Sequence, residues 1–217
     1  LNDDEYNMLR TASIEIASSL DIVGECNVQF ALDPFSKEYR VIEVNPRLSR
    51  SSALASKVTG YPIAYIAAKL CLGNRLSDLK NNITGNTTAN FEPSLDYIVI
   101  KIPKWDMKKF SVKDDTLGSA MKSVGEVMAI GKNFEETLQK GMRMVGKYGF
   151  IPYGKRPSEK EVEYKLTNPN DDRLRYLAFA IYIYKKSLEE IYQLTKIDPW
   201  FLSKLFNIYE ISKYIQQ

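Results

Sequence analysis

Gly149, Pro152, Gly154 and Pro157 fall within about ten residues of one another, a density of helix and strand breakers that no regular element tolerates in its interior. Before that stretch the chain alternates strand-like and helix-like segments, and after it almost every window favours helix. The break therefore predicts two domains, an α+β unit over residues 1–147 and a small all-helical unit over residues 148–217. Two cores of that size fit within 217 residues.

Within the first unit, Asp3 or Asp4 is placed to cap a helix running to about Leu20. Tyr6, Leu9, Ser13, Ile16 and Leu20 recur on one face, which would pack on a sheet. From Cys26 to Leu32 apolar and polar residues alternate, and Asp33-Pro34-Phe35-Ser36-Lys37-Glu38 reads as a turn. Tyr39 to Asn45 reads as the returning strand of a hairpin. Ser49 to Val58 is helix-compatible, Gly60 breaks it, and Pro62 restarts a helix carrying Ile63, Ile66, Ala67 and Leu70 on one face before Gly73 ends it. Asn81 to Asn90 is a loop by composition. Strands follow at Tyr97 to Ile102, closed by Pro103, and at Val124 to Ile130, and Asn133 caps a helix from Phe134 to Val145. The sheet is expected to be mainly antiparallel.

In the tail, Leu174, Leu177, Ile181 and Leu188 make one apolar stripe that Ile191 and Leu194 extend. Asp198-Pro199 pairs an N-cap with proline at the first helical position ahead of Phe201, Leu202, Leu205 and Ile208. Tyr176, Phe179, Tyr182, Tyr184, Trp200, Phe201 and Phe206 supply more aromatic surface than a bundle of roughly 60 residues buries internally, which predicts an association surface.

Several function classes are disfavoured. A net charge of +3, with the charges scattered, lacks the basic stripe that grips a phosphate backbone, so no nucleic acid is expected. Cys26 and Cys71 are too few for a disulfide framework, and with no histidine there is neither a Cys/His zinc pattern nor a histidine-activated nucleophile. A reducing compartment is the simplest reading. No apolar run reaches the roughly 20 residues that span a bilayer, and Leu1 is followed at once by Asn2, Asp3, Asp4 and Glu5, unlike a basic signal peptide, so no membrane is expected. A start that is not methionine and opens directly into a helix fits a longer parent chain.

Chemistry concentrates in Asn27-Val28-Gln29-Phe30 and Val41-Ile42-Glu43-Val44-Asn45-Pro46-Arg47-Leu48-Ser49-Arg50. Residues two apart on a strand share a face, so Gln29 goes with Asn27 and Glu43 with Asn45. If the strands pair, these oxygen-bearing groups converge. A carboxylate between Ile42 and Val44 is costly to bury without a positive or hydrogen-bonding partner. A hard divalent cation such as magnesium, which takes oxygen ligands and keeps some waters and phosphate oxygens, would be one. Arg47 and Arg50 could then hold a phosphate or acyl phosphate by forked hydrogen bonds. The other reading is a half-exposed strand whose Glu43 and Asn45 are simply solvated, with both arginines on the surface. Gly125 and Gly131 lack the spacing of a dinucleotide or P-loop fingerprint, and no phosphate cradle is visible.

Asn27-Val28-Gln29-Phe30-Ala31 and the run from Ile42 through Glu43-Val44-Asn45-Pro46-Arg47-Leu48-Ser49-Arg50-Ser51-Ser52-Ala53-Leu54-Ala55-Ser56 to Lys57 closely resemble the large chain of carbamoyl phosphate synthetase. So do Thr59-Gly60-Tyr61-Pro62, Phe91-Glu92-Pro93-Ser94-Leu95-Asp96-Tyr97, Lys101-Ile102-Pro103 and Met121-Lys122-Ser123-Val124-Gly125-Glu126-Val127-Met128. Leu194-Thr195-Lys196-Ile197-Asp198-Pro199-Trp200-Phe201-Leu202 is similar to that family's oligomerisation domain.

The resemblance implies the C-terminal part of an ATP-grasp fold, from the half that makes carboxyphosphate out of ATP and bicarbonate before ammonia attacks to give carbamate. It implies ATP with Mg2+ or Mn2+ as cofactors and K+ as a further candidate ion. Gln29, Glu43 and Asn45 match metal-binding residues, and Gln29 and Glu43 also match nucleotide contacts. Arg47 matches a residue facing the bicarbonate-derived phosphate, and Arg50 one near the ammonia path. Implied partners are the rest of a large chain, a glutaminase subunit or domain, and further copies through the helical tail, in the cytoplasm or mitochondria. The family's glycine-rich loop and adenine pocket have no counterpart in this sequence, so the chain by itself is expected to be inactive. A non-catalytic assembly module is the alternative. Another ATP-grasp carboxylase, such as biotin carboxylase, would share the Glu and Asn pattern but not the motif from Ile197 to Leu202.

Overall fold

The computed structural model describes residues 1–105, 117, 118 and 122–215; Met121 of the motif quoted above lies outside the described residues. The chain divides into two compact units, Leu1–Leu95 and Asp96–Gln217.

The first unit opens with α1 (Asp3–Ser19). Its cap is Asn2 rather than Asp3 or Asp4. The Asn2 side chain accepts from the Glu5 amide at 2.9 Å, and the Glu5 carboxylate accepts from the Asn2 amide at 2.8 Å. This reciprocal box satisfies two orphan donors and leaves Asp3 and Asp4 in the first turn, where their charge complements the helix dipole. The stripe expected on this helix is rotated: Ala12 is its buried centre, while Tyr6 and Leu20 face solvent.

Strands β1 (Asn27–Leu32) and β2 (Tyr39–Asn45) form the expected antiparallel hairpin. Asp33 organises the connection, accepting the Phe35 amide on its side chain at 2.8 Å and donating its own amide to the Glu38 carbonyl at 2.9 Å. Two helices follow. α2 (Arg50–Thr59) is capped by Ser49 in a box with Ser52 and ends on Gly60 at φ 73°, a left-handed position that suits glycine. α3 (Ile63–Cys71) buries Ile66 and Ala67, as its stripe predicts. The Asn81 to Asn90 loop is built around a buried Asn81, whose Oδ1 accepts from the amides of Ile83 and Thr84. Tyr61 Oη donates to the Ala89 carbonyl at 2.7 Å and ties that loop to the α2–α3 connection.

In the second unit, β3 (Ile98–Trp105) and β4 (Ser123–Gly131) make another antiparallel ribbon. β3 does not stop at Pro103, which pairs with Glu126. Each strand of a two-stranded ribbon has an open edge, where a missing N–H removes no ladder bond. α4 (Phe134–Met144), capped by Asn133 as expected, lies on this ribbon. Glycine at 141 eases the close approach, since a Cβ there would sit 2.7 Å from Ile102 Cδ1 and that side chain would have to shift. α5 (Glu159–Thr167), α6 (Arg173–Tyr182), α7 (Leu188–Thr195) and α8 (Pro199–Ile215) form the helical part. Asp198 accepts the Trp200 amide on its side chain at 2.8 Å, with Pro199 at the first helical position.

One apolar core runs from α4 into these helices. Leu138 and Met142 belong to it together with Phe150, Val162, Leu166, Leu177, Ile181, Ile191 and Leu202. The sequence boundary at 147/148 thus falls inside the second unit. Phe150, fully buried within the glycine and proline stretch, is the reason: its amide donates to Gln139 Oε1 on α4 at 2.7 Å and its ring plugs the shared core. Arg175 fastens the rest of that stretch to α6, donating to the carbonyls of Tyr153 and Lys155.

Candidate functional site

The β1–β2 register sets Asn27 opposite Asn45, Val28 opposite Val44 and Gln29 opposite Glu43, after which Phe30 faces Val41. Ile42 is left without an opposite residue and forms a bulge. Such an insertion breaks the two-residue alternation of β2. Uninterrupted alternation would place Tyr39 and Val41 on the same face as Glu43 and Asn45. With the bulge, one face carries Asn27, Gln29, Glu43 and Asn45, and the other carries Val28, Phe30, Leu32, Tyr39, Val41 and Val44. The rings of Phe30 and Tyr39 meet edge to face at 5.5 Å on that apolar side.

On the polar face, Gln29 Nε2 donates to Glu43 Oε1 at 2.6 Å, and Asn45 Nδ2 donates to the same oxygen at 2.8 Å. Three of the sequence-predicted residues therefore meet at one atom. Glu43 and Gln29 are exposed and Asn45 is half-buried. The burial argument raised for Glu43 does not hold, because the strand's polar face is open rather than packed between Ile42 and Val44. Arg47 lies just beyond, on the segment leading into α2, and Arg50 is the first residue of that helix; both are exposed.

That segment is held from both ends. Its start is fixed where the Arg47 amide donates to the Asn45 carbonyl at 2.9 Å. Its end is fixed by the Ser49 cap, and Ser52 in turn donates to Glu25 Oε1 at 2.5 Å just ahead of β1. Glu25 Oε2 is buried without a hydrogen-bond partner among the described residues. Sequence reasoning passed over Glu25, since a glutamate in a loop before a strand carries no pattern of its own. It also passed over Arg10, which forms a two-pronged pair with Glu92, Nε to Oε1 being 2.9 Å. This pair holds the Glu92 carboxyl below and the Arg10 guanidinium above their ordinary ranges. Cys26 sits just outside β1, half-buried, and burial raises its thiol pKa, which fits a packing role rather than a reactive one.

The donor set fits a hard cation. A carboxylate and two amides surround a single point, and rotating either amide by half a turn exchanges its N–H for an oxygen. No cluster of three or more Asp, Glu, Cys or His suited to a metal occurs among the described residues, so a cation at Glu43 would rely on the amides and on ligand oxygens to complete its shell.

The first unit thus presents an oxygen-lined hairpin face, and the second is a ribbon and helices around one core. Residues 1–79 match the family described as carbamoyl-phosphate synthase L chain, ATP binding domain. Residues 126–217 match the carbamoyl-phosphate synthetase large chain, oligomerisation domain. The chain belongs to the carbamoyl phosphate synthetase large-chain family, whose members are ligases. It is 55% identical over 217 residues to the mitochondrial arginine-specific large chain of Schizosaccharomyces pombe, covering all of this chain and 18% of that one. To the multifunctional protein CAD of Squalus acanthias it is 55% identical over 214 residues, 98% of this chain and 9% of the relative. To the multifunctional protein URA2 of Saccharomyces cerevisiae it is 49% identical over 215 residues, 99% of this chain and 10% of the relative. The chain thus spans a small part of the length of these relatives.

Proposed function

We propose that this segment forms the metal-facing wall of the carboxyphosphate site in a carbamoyl phosphate synthetase that uses ATP, bicarbonate and ammonia. The reading rests on one observation, the convergence of Gln29, Glu43 and Asn45 on a single carboxylate oxygen of one hairpin face. A bound Mg2+ or Mn2+ would neutralise charge on the nucleotide phosphates during phosphoryl transfer. Glu43 and the two amides hold that ion, and Gln29 and Glu43 also approach the nucleotide. Arg47 clamps the phosphate carried by bicarbonate, and Arg50 lines the approach of ammonia. K+ is a further candidate ion. Phosphoryl transfer requires ATP to be held from several sides, and one wall leaves water free access, so the isolated chain does not turn over.

The ATP-grasp part is assigned to residues 1–147 and the helical oligomerisation part to residues 148–217. The wider assembly includes the rest of a large chain, a glutaminase subunit or domain, and further copies. Among the described residues no helix is long and apolar enough to cross a membrane, and the setting is proposed as cytoplasmic, with mitochondria the alternative suggested by the Schizosaccharomyces pombe relative. Calorimetry with ATP and magnesium tests the site. Weak, magnesium-dependent binding that Glu43→Ala removes is expected, and binding indifferent to that change contradicts it.

A second reading, self-association, is favoured by the cluster of Phe134, Trp200 and Phe201, whose rings contact one another at 5.0 to 5.6 Å while Trp200 stays 50% and Phe201 45% exposed. Tyr176 and Phe179 do not belong to this surface, because α6 turns them into the core. Sedimentation at rising concentration distinguishes association from a strict monomer.

A further inference from the structure

The second unit contains a cavity of about 460 Å³ where β3, α4 and α6 meet. Its floor is apolar, made by Ile102, Met142 and Leu174, and aromatic rings come from Trp105 and Tyr153. The wall is cationic. Lys104, Lys147, Arg173 and Arg175 line it against Asp171 and Asp172.

The balance of that wall matters. Lys147 is answered by Asp172 at 2.6 Å. Arg175 donates to two backbone carbonyls, which satisfy its N–H groups without cancelling its charge. Arg173 likewise donates to the carbonyls of Leu166 and Thr195, and its Nε is a buried donor with no acceptor among the described residues. Burial lowers the Arg173 pKa, as expected for a charge held away from water without a counter-ion. Positive potential inside a concave apolar wall is focused toward the cavity rather than dissipated in solvent. None of these groups belongs to the hairpin face carrying Glu43.

We propose that this cavity binds a small organic anion with a flat apolar body, an aryl phosphate or aryl carboxylate, the ring lying on the apolar floor and the anion meeting the arginine and lysine wall. Both parts of the ligand are required. The ring displaces water from Ile102, Met142 and Leu174, and the anion supplies the counter-charge that Arg173 and Arg175 lack.

The test is a titration of the 217-residue chain with phenyl phosphate in EDTA. EDTA removes divalent cations, so the result is independent of the proposed metal site. The chain has two tryptophans, so a Trp200→Phe background leaves Trp105, in the cavity wall, as the single tryptophan, excited selectively at the red edge beyond tyrosine absorption. Saturable change in Trp105 emission is expected, with phenylacetate behaving similarly, and with benzyl alcohol and inorganic phosphate each binding weaker by about tenfold or more. Lys104→Glu, at an exposed position, and Val145→Phe, which fills the cavity with an apolar side chain, should each weaken binding by about tenfold while the melting temperature is kept. No saturable change overturns the proposal. So does equal binding of benzyl alcohol, which removes the anion from the account, equal binding of inorganic phosphate, which removes the ring, or indifference to both substitutions.

Discussion

Ile42 decides which side chains share a face of the hairpin. Sequence alternation placed Glu43 with Asn45 and Gln29 with Asn27, and pairing brought the two sets together as expected. The bulge was not legible, because Tyr-Arg-Val-Ile-Glu-Val-Asn reads as unbroken strand and nothing local marks the inserted residue. It moves Val41 and Tyr39 to the side of Phe30, and so keeps aromatic bulk off the face of Glu43. Inserting an alanine between Gln29 and Phe30, opposite Ile42, should restore plain alternation, bring Phe30, Val41 and Tyr39 to the face of Gln29 and Glu43, and destabilise the protein by about 1–3 kcal/mol, read from denaturant midpoints. An unchanged midpoint would deny the bulge this role.

Lys186 is a second residue whose work is visible only in three dimensions. It is 9% exposed and donates to Glu163 at 2.7 Å and to Glu159 at 3.0 Å, tying the turn before α7 to α5. The hydrogen bond to Glu163, opposed by desolvation and helped by Glu159, raises its pKa above the ordinary 10.5. A lysine raised on folding stabilises fully below its unfolded value, and that contribution is lost as pH climbs through the folded one. Melting temperature should therefore fall above about pH 10.5 more steeply in the wild type than in Lys186→Met. Parallel curves would argue against the linkage.

At the scale of elements, capping signals translated well where the cap sits at the start of an apolar stripe. Asn133 and Asp198 cap as their sequences suggest, and Gly60 ends α2. Signals that depend on distant partners did not translate. Pro103 stays within β3 because the ribbon has an open edge, and Asn2 displaces Asp3 and Asp4 as cap because Glu5 answers it. The segment carrying Gly149, Pro152, Gly154 and Pro157 is irregular as predicted, yet it is packed. Glycine and proline report local backbone, whereas Phe150 reports the core that its neighbours build. Phe150→Ala should cost about 3–5 kcal/mol, with the loss shared by α4 and the helices beyond. A loss under about 1 kcal/mol would mean the stretch behaves as a plain linker.

Across the whole molecule the two units differ in how well each is filled. The second has a continuous core of large side chains, while the buried apolar residues described in the first are Ala12, Ile66, Ala67 and Ala89. Such a thin interior leaves Val23, Ile42, Phe91 and Leu48 in contact with solvent. In that first unit one face of the hairpin presents a carboxylate and two amides to solvent. In the proposed function Glu43 is a metal ligand of the carboxyphosphate reaction. The direct measurement is bicarbonate-dependent ATP hydrolysis by a large chain carrying this segment, with and without Glu43→Ala, alongside a fold check by circular dichroism. A loss of about a hundredfold or more with the fold retained is the expected result, and near-normal hydrolysis at ordinary magnesium would contradict it.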